Sequence, residues 1–206
     1  MDILPIGQAK LSRRFFVSSA ALFLTLGPAQ AAEEAGIVTA VQGVAVAETR
    51  PTPRALAENG SVFLEELLRT GDESRLGLRL GETTSVRLGA RSKLRIDRFI
   101  VNAGGELRLG SGQLLLDGPE GGFPRGLIVS SPYALLAVRG TKFFAGQLDR
   151  GFSVFVERGG VRVRAGGVSV DLGPGDGTDI AHPGGRPEPA KKWGQPKIDR
   201  AMALVN

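Results

Sequence analysis

Few residues of this chain have the types and spacing that catalysis needs. The 206 residues include one histidine and no cysteine, which excludes thiol nucleophiles, disulfides, thiolate metal sites and three-histidine metal sites. The histidine, His182, lies in a segment rich in proline and glycine, where no packed neighbours would hold a general base in position. A serine hydrolase would need this histidine and a G-x-S-x-G element, which the sequence lacks. We therefore expect a protein without enzymatic activity and without a cofactor.

Aspartates and paired glycines are the other candidates for a binding site. Asp171, Asp176 and Asp179 could supply oxygen ligands to calcium, but their order fits neither the EF-hand nor the G-G-x-G-x-D repeat. We interpret their segment as a turn between strands. Gly159-Gly160 and Gly166-Gly167 have no helix behind them on which a phosphate could rest. We interpret both pairs as turn glycines.

Arginines that alternate with apolar residues are the main surface feature of the sequence. Apolar pairs with a spacing of two recur every eight residues from Leu78 to Ile96. The arginines interleaved with this stretch are Arg75, Arg79, Arg87 and Arg95. They predict either a solvated outer face that keeps a sheet soluble, or a basic face that contacts an acidic glycan, lipopolysaccharide phosphates or an acidic protein.

The elements that must position these residues are strands. Alternation with a period of two extends from Ile37 to Leu172, in a dozen or so short runs separated by glycines. This pattern predicts an all-β fold, which could be a sandwich, a roll or a solenoid-like stack of short strands. The eight-residue recurrence favours a stack. Residues 64–69 are compatible with a strand or with a helical turn.

The C-terminal segment differs from the rest. Residues 181–206 begin with a proline- and glycine-rich stretch that is unsuited to a strand ladder. From Pro196 onward, Ile198, Ala201, Met202 and Val205 recur with helical spacing, which predicts a short amphipathic helix. We expect the helix to dock on its own domain, and contact with a partner is the alternative.

Residues 1–31 have the pattern of a cleavable export signal. Arg13 and Arg14 precede a modest apolar run that ends in Ala29-Gln30-Ala31, which is typical of twin-arginine signals and of signal-peptidase sites. The run is too short to span a membrane, and we expect no span in the mature chain. Export to the periplasm removes cytosolic cofactors and nucleic acid from the expected partners. The formal net charge of the whole chain is only +5, and the signal carries part of it.

Several motifs within residues 36–180 resemble the FecR domain family. They are a T-G-x-x-S turn from Thr70 to Ser74, a Ser131-Pro132 segment, and the element Val138-Arg139-Gly140-Thr141-Lys142-Phe143, followed by closing strands. The resemblance implies a periplasmic β-domain for sensing or for contact with a ligand or protein. The best-known members relay a signal from an outer-membrane siderophore receptor to a cytoplasmic sigma factor, and they carry an anti-sigma segment and a membrane span before the β-domain. Here residues 1–31 supply only a signal, so we expect a stand-alone exported version of the domain.

The motif residues have structural interpretations of their own. Gly71 and Asp72 favour a tight turn with a left-handed residue, in which Asp72 bonds to nearby backbone. Gly140 within a strand predicts a bulge or a close approach of another backbone, while Val138 and Phe143 should enter the core.

Arg139 and Thr141 complete this element. Arg139 should be solvated or bound to a carboxylate such as Asp72 or Asp97. A structural clamp is the favoured role for the Arg139-Gly140-Thr141 element, and contact with a ligand is the alternative.

Three classes of function agree with these observations. The first is a FecR-like binding or signalling module with an envelope protein as its partner. The second is a structural or envelope protein that binds polysaccharide or peptidoglycan. The third, which has the least support, is an extracytoplasmic enzyme that uses carboxylates.

Overall fold

The computed structural model describes residues 33–48, 52–100 and 103–206. The predicted export signal lies outside these residues, so export stays a prediction. Residues 32–206 group together as one unit. Strands make up 58% of the described residues and there is one short C-terminal helix, which confirms the predicted all-β class.

Sixteen strands are present in the described part of the chain. The first eight are β1 Glu34–Gln42, β2 Ala45–Glu48, β3 Arg54–Ala55, β4 Ser61–Phe63, β5 Leu67–Thr70, β6 Arg75–Leu80, β7 Thr84–Leu88 and β8 Lys93–Ile100. The other elements are β9 Gly104–Ser111, β10 Gln113–Asp117, β11 Leu127–Ser130, β12 Leu135–Leu148, β13 Gly151–Ala165, β14 Val168–Leu172, β15 Asp176–Ile180, β16 Lys191–Lys192 and helix α1 Gln195–Ala203. The ambiguous segment at residues 64–69 thus leads into a strand.

The strands form one curled sheet with the shape of a half-barrel. The long strands β12 and β13 pair with each other along their length and belong to both halves of the sheet. One half continues through β10, β7, β6, β1 and β4 on one side and through β15 and β16 on the other. The other half continues through β11, β9, β8, β5, β2 and β3, and ends on its other side at β14. We call them the covered half and the open half, because α1 packs on the outer face of the first.

The inward faces of both halves share one hydrophobic core. Leu76, Leu78 and Leu80 of the covered half are buried together with Leu94 and Ile96 of the open half. The apolar side of the predicted alternation is therefore confirmed. The predicted stack is not what forms, since β7 pairs with β6 and β10 whereas β8 pairs with β5 and β9.

Helix α1 covers the outer face of the covered half. Leu115, Phe144 and Phe155 point away from the main core and pack against Trp193 and Ala201 in a second apolar cluster. Burial of this cluster, in addition to the helix propensity of nine residues, stabilises so short a helix. Among the described residues, no helix has the length and apolar character needed to cross a membrane.

The segment between β15 and α1 follows the sheet although it is rich in proline. The Glu188 N–H donates to Asp179 O, and the Thr178 hydroxyl donates to Glu188 O. Lys191 and Lys192 then pair with β15 as β16. These bonds bring the chain to the outer face on which α1 docks.

Candidate functional site

A sharp bend in β12 and β13 contains the Arg139-Gly140-Thr141 element. The register of the two strands shifts between Arg139 and Lys142, as expected for a β-bulge. Gly140 has a φ of +57°, and a Cβ there would lie 2.8 Å from Glu120 O. The predicted bulge and close approach at Gly140 are therefore confirmed.

Gly159 and Gly160 lie opposite this element. Both belong to β13, so the interpretation of this pair as turn glycines was wrong, whereas Gly166-Gly167 does connect β13 to β14. Gly159 has a φ of +81°, and a Cβ there would overlap Gly140 O. Period-two alternation on both sides of the pair had suggested two strands, but the glycines allow one strand to bend and continue.

Thr141 fixes the geometry of the bend. Its side chain is fully buried, and its Oγ1 lies 2.7 Å from Arg139 O and 2.9 Å from Gly160 O. The same oxygen accepts a hydrogen bond of 3.2 Å from the Gly160 N–H. The hydroxyl thus satisfies backbone groups that the bulge removes from the regular ladder. The structural clamp of this element consists of Gly140 and Thr141.

The bulge also changes which residues face the core. Leu136 and Val138 point inward before the bend, and Phe143 and Ala145 point inward after it. One additional residue has therefore exchanged the inward and outward positions along β12. The predicted burial of Val138 and Phe143 is confirmed, with 4% and 0% exposure.

Arg139 does not take part in this clamp through its side chain. It is exposed, and no carboxylate among the described residues pairs with it. The two proposed partners are occupied elsewhere, since Asp72 contacts Arg91 at 2.5 Å and Asp97 lies 2.7 Å from Arg95. Of the two alternatives for Arg139, pairing with either aspartate is wrong, and its guanidinium projects toward solvent.

The turn at Gly71 and Asp72 is a separate feature near the start of β6. The left-handed residue is Glu73, with a φ of +51°, and not Gly71. The Ser74 hydroxyl donates to Asp72 O and accepts from the Val44 N–H, so serine supplies the bonding expected of the aspartate side chain. No contact between described residues joins this turn to Arg139.

The structure divides the predicted basic face between the two halves of the sheet. Arg75 and Arg87 contact the end of the chain, where Arg75 donates to Ala203 O and Arg87 donates to Asn206 Oδ1. Arg79, also on the covered half, is exposed and has no ion-pair partner among the described residues. Arg95 lies on β8 in the open half, so the four arginines do not form one surface.

An ion pair holds α1 to the covered half. Lys197 Nζ lies 2.6 Å from Asp179 Oδ2 and 4.2 Å from the centre of the Trp193 ring. Burial raises the pKa of Asp179. Hydrogen bonds from Lys197 and Ser153 and the nearby lysine charges lower this pKa by more than burial raises it, so the net pKa lies below its usual range. Docking of α1 is thus coupled to the ionised form of Asp179.

Seven exposed arginines lie together on the outer face of the open half. The arginine face, as we call it, has seven exposed arginines and three carboxylates around a small apolar centre. Its arginines are Arg95, Arg98, Arg108, Arg125, Arg139, Arg162 and Arg164. Its carboxylates are Asp97, Glu106 and Asp171, and its apolar centre consists of Ile128, Leu135 and Ala137. No described segment covers this face.

Strand register brings these side chains together. Ala137 lies opposite Ile128 of β11 and opposite Arg162 of β13. Shallow grooves of about 340 Å³ and 260 Å³ flank this line, the first against Arg139 and the second against Arg125. The face thus combines concave surface, exposed apolar side chains and an excess of positive charge.

The arginines of this face differ in how far they are neutralised. Arg162 forms a bidentate ion pair with Asp171, in which Nε donates to Oδ1 at 2.7 Å and Nη2 donates to Oδ2 at 3.0 Å. This hydrogen bonding raises the pKa of Arg162 and lowers the pKa of Asp171. Arg139 and Arg164 have no ion-pair partner among the described residues. Their guanidinium groups are therefore free to bind an anionic group of another molecule.

The three aspartates considered for calcium do not converge. Asp171 pairs with Arg162, Asp176 with Lys192 and Asp179 with Lys197. Within the described residues, no group of three histidine or carboxylate side chains is placed to hold a metal ion. Asp176 instead stabilises the turn before β15, where its carboxylate accepts from the Gly173 N–H at 2.9 Å.

Sequence reasoning identified Arg139 and Arg95 but missed the surface to which they belong. Arg162 and Arg164 alternate with the buried Val161 and Val163, so the signal for their outward position was present. What the alternation could not provide was the pairing of β13 with β12, which places these arginines beside Arg139.

Comparison with known proteins finds a family model that matches part of the chain. Residues 66–162 match the family model described as FecR protein, which includes the bend and most of the arginine face. No curated protein matches the chain. Two crystal structures, at 1.65 Å and 2.50 Å resolution, of a candidate anti-sigma factor from Parabacteroides distasonis ATCC 8503 each match with a TM-score of 0.55 and 18% identity.

Both kinds of match cover part of the chain. Each structural match covers 65% of this chain and 62% of the Parabacteroides chain, and at this identity it shows a shared fold alone. The family match lies within the region of residues 36–180 in which the sequence motifs occur. The resemblance inferred from the motifs is therefore confirmed for residues 66–162, which match the FecR family model.

Proposed function

We propose that this chain is a non-catalytic FecR-type binding or signalling module of the cell envelope. The observation that carries the proposal is the uncovered arginine face on a FecR domain whose opposite outer face is occupied by α1. Arginines around exposed apolar side chains are typical of protein interfaces, where arginine is enriched and often supplies much of the binding energy. The export pattern of residues 1–31 supports a partner outside the cytoplasm.

The placement of the ionisable side chains supports a non-catalytic role. An acid and base pair needs two groups held at a common point with different pKa values. The pKa values of Asp171, Asp176 and Asp179 are all lowered, and each carboxylate is bound to its own cation. His182 is exposed and contacts the backbone oxygen of the adjacent Pro183.

Capture of a partner in the native compartment tests this function. Tagged chain is cross-linked in intact cells and purified from the periplasmic fraction, and the attached proteins are identified. We expect a defined receptor or regulator to be captured by the wild-type chain and to be lost with Arg139→Ala. Because the Arg139 side chain has no structural partner, this variant should keep the wild-type melting temperature. Absence of any reproducible protein partner would contradict the proposal.

Binding to an envelope glycan is the second candidate, and the excess of arginines on the open half favours it. Polyanionic glycans bind clustered cations with a strong dependence on salt. Co-sedimentation with purified peptidoglycan and with anionic polysaccharide tests this alternative. If the wild-type chain co-sediments with a glycan, Arg139→Ala does not, and no protein is captured in cells, envelope binding would replace the signalling proposal.

Export by the twin-arginine route is the remaining element of the proposal. Changing Arg13 and Arg14 to lysine should leave full-length precursor in the cytoplasm, since the export receptor recognises the arginine pair. Immunoblots of fractionated cells measure this. Normal periplasmic accumulation of the double-lysine chain would argue for the general secretory route.

A further inference from the structure

The line from Arg139 to Arg164 across β12 and β13, which we call the trough, has an arginine without an ion-pair partner among the described residues at each end. Leu135, Ala137 and Arg139 point outward from β12 at a spacing of two residues. Their partners on β13 are Arg164, Arg162 and Gly160, respectively. Gly160 has no side chain and Ala137 has only a methyl group, so the surface is depressed between the larger residues. The groove of about 340 Å³ lies at the Arg139 end of this line, and its lining includes Ala137, Arg139, Gly160 and the paired Arg162 and Asp171.

The spacing of the two free arginines is set by strand geometry. Arg139 lies opposite Gly160 and Arg164 lies opposite Leu135, so four residues separate the arginines along the strands. At about 3.3 Å per residue, this separation is about 13 Å along the strand direction. Leu135 is 42% exposed and Ile128 is 37% exposed, so apolar surface lies beside the line between the two cations.

We propose that this trough binds an extended acidic polypeptide segment in which two carboxylates, four residues apart, flank an apolar side chain. In an extended chain, residues i, i+2 and i+4 project from one face, and the outer two are about 13 Å apart. The carboxylates pair with Arg139 and Arg164, whose planar forks match carboxylate geometry. The middle side chain packs on Ala137 and Ile128. This inference rests on the proposed function, because it names the chemistry of the protein partner.

A polypeptide fits the trough better than an acidic glycan because the apolar centre needs an apolar counterpart. Ile128 and Leu135 are two of the large apolar side chains that are exposed in the described part of the chain. A hydroxyl-rich sugar would cover them without an apolar contact, whereas a leucine or isoleucine side chain would be removed from water with them. Charge alone would not distinguish the two ligands.

Titration with short peptides, followed by NMR amide shifts of the purified chain, tests the inference. The probe is the blocked peptide Ser-Glu-Ser-Leu-Ser-Glu-Ser, and its control has glutamine in place of both glutamates. We expect the acidic peptide to shift amides of β11 to β14 and the control to bind at least about tenfold more weakly, as for the loss of about 1.4 kcal/mol. Arg139→Gln combined with Arg164→Gln should weaken the acidic peptide by a similar factor, whereas Arg79→Gln on the covered half should have no effect.

The apolar contact separates a peptide site from a general anion site. Ile128→Ser should weaken the acidic peptide about threefold to tenfold and leave binding of oligogalacturonate unchanged. Shifts outside β11 to β14, equal binding of both peptides, or tighter binding of oligogalacturonate than of the acidic peptide would each overturn the inference. If the wild-type chain and the Arg139→Gln, Arg164→Gln double variant both capture the same envelope protein, the inference that the trough binds the partner is wrong, but the proposed function stands. If no protein is captured at all, the proposed function itself fails.

Discussion

Two glycines with the same left-handed φ provide a direct test of the bend in β12 and β13. Gly159 and Gly167 both have a φ of +81°. A Cβ at Gly167 would meet no atom within 4 Å, whereas a Cβ at Gly159 would overlap Gly140 O and lie 2.9 Å from Arg139 O. Replacing each glycine by alanine therefore places a Cβ on a residue with the same left-handed φ, and only the variant at Gly159 adds a collision with the backbone of the neighbouring strand.

The expected magnitudes follow from these two terms. Left-handed backbone costs a residue with a Cβ about 1 to 2 kcal/mol, and the reduced entropy of the unfolded chain offsets part of this. We therefore expect Gly167→Ala to destabilise the domain by about 1 kcal/mol. Gly159→Ala must in addition displace β12 from β13 at the bend that the Thr141 hydrogen bonds hold. The atoms that the new Cβ meets there are backbone atoms, which cannot move aside as a flexible side chain could. We expect a total of about 4 kcal/mol for this variant.

Urea denaturation measures the difference with two independent signals. Far-ultraviolet circular dichroism follows the sheet, and the chain has a single tryptophan, Trp193, whose fluorescence reports on the second apolar cluster. The free energies of unfolding should fall in the order wild type, Gly167→Ala, Gly159→Ala, with the last two separated by about 3 kcal/mol. Equal destabilisation by the two substitutions would show that the bend does not bring Gly159 against Gly140 as described.

Three further predictions concern other parts of the molecule. Asp179→Asn should lower stability at neutral pH, and because the folded-state pKa of Asp179 is lowered, its stabilising effect should be present above about pH 4 and be lost as pH falls through the folded pKa; Trp193 fluorescence against pH compares the two chains. Thr141→Val should cost about 1 to 3 kcal/mol in urea melts by leaving backbone groups of the bulge without a partner, whereas Thr141→Ser should retain most of the stability. Circular dichroism of residues 32–206 should be dominated by strand, and helix above about a quarter of the residues would contradict the fold.

The parts of the fold that the sequence could predict are those determined by neighbouring residues. Alternation fixes which side of each strand is apolar, so the burial of Leu76, Leu78 and Leu80 and the outward position of Arg79 could be inferred before any pairing was known. The helical spacing after Pro196 likewise predicted α1. These inferences hold because side-chain direction in a strand or helix is a local property.

The parts that could not be predicted depend on pairing between distant segments. Arg75 and Arg95 have similar sequence surroundings, yet one contacts the end of α1 and the other lies in the open half. Gly159-Gly160 has the composition of a turn, and only the opposing bulge at Gly140 shows that the strand continues. Alternation also conceals a bulge, because a single extra residue exchanges the two faces without interrupting the pattern on either side.

This exchange of faces explains how two strands present different outer surfaces at their two ends. Beyond the bend, the outward residues Phe144 and Phe155 are large and apolar, and they form the surface that α1 covers. Before it, the outward positions hold Arg139 opposite Gly160 and Ala137 opposite Arg162, which give α1 no apolar surface on which to dock. The helix therefore has one place to bind, and the arginine face is left uncovered. A bend formed by Gly140, Gly159 and Thr141 thus separates the part of the sheet that stabilises the domain from the part that is available to a partner.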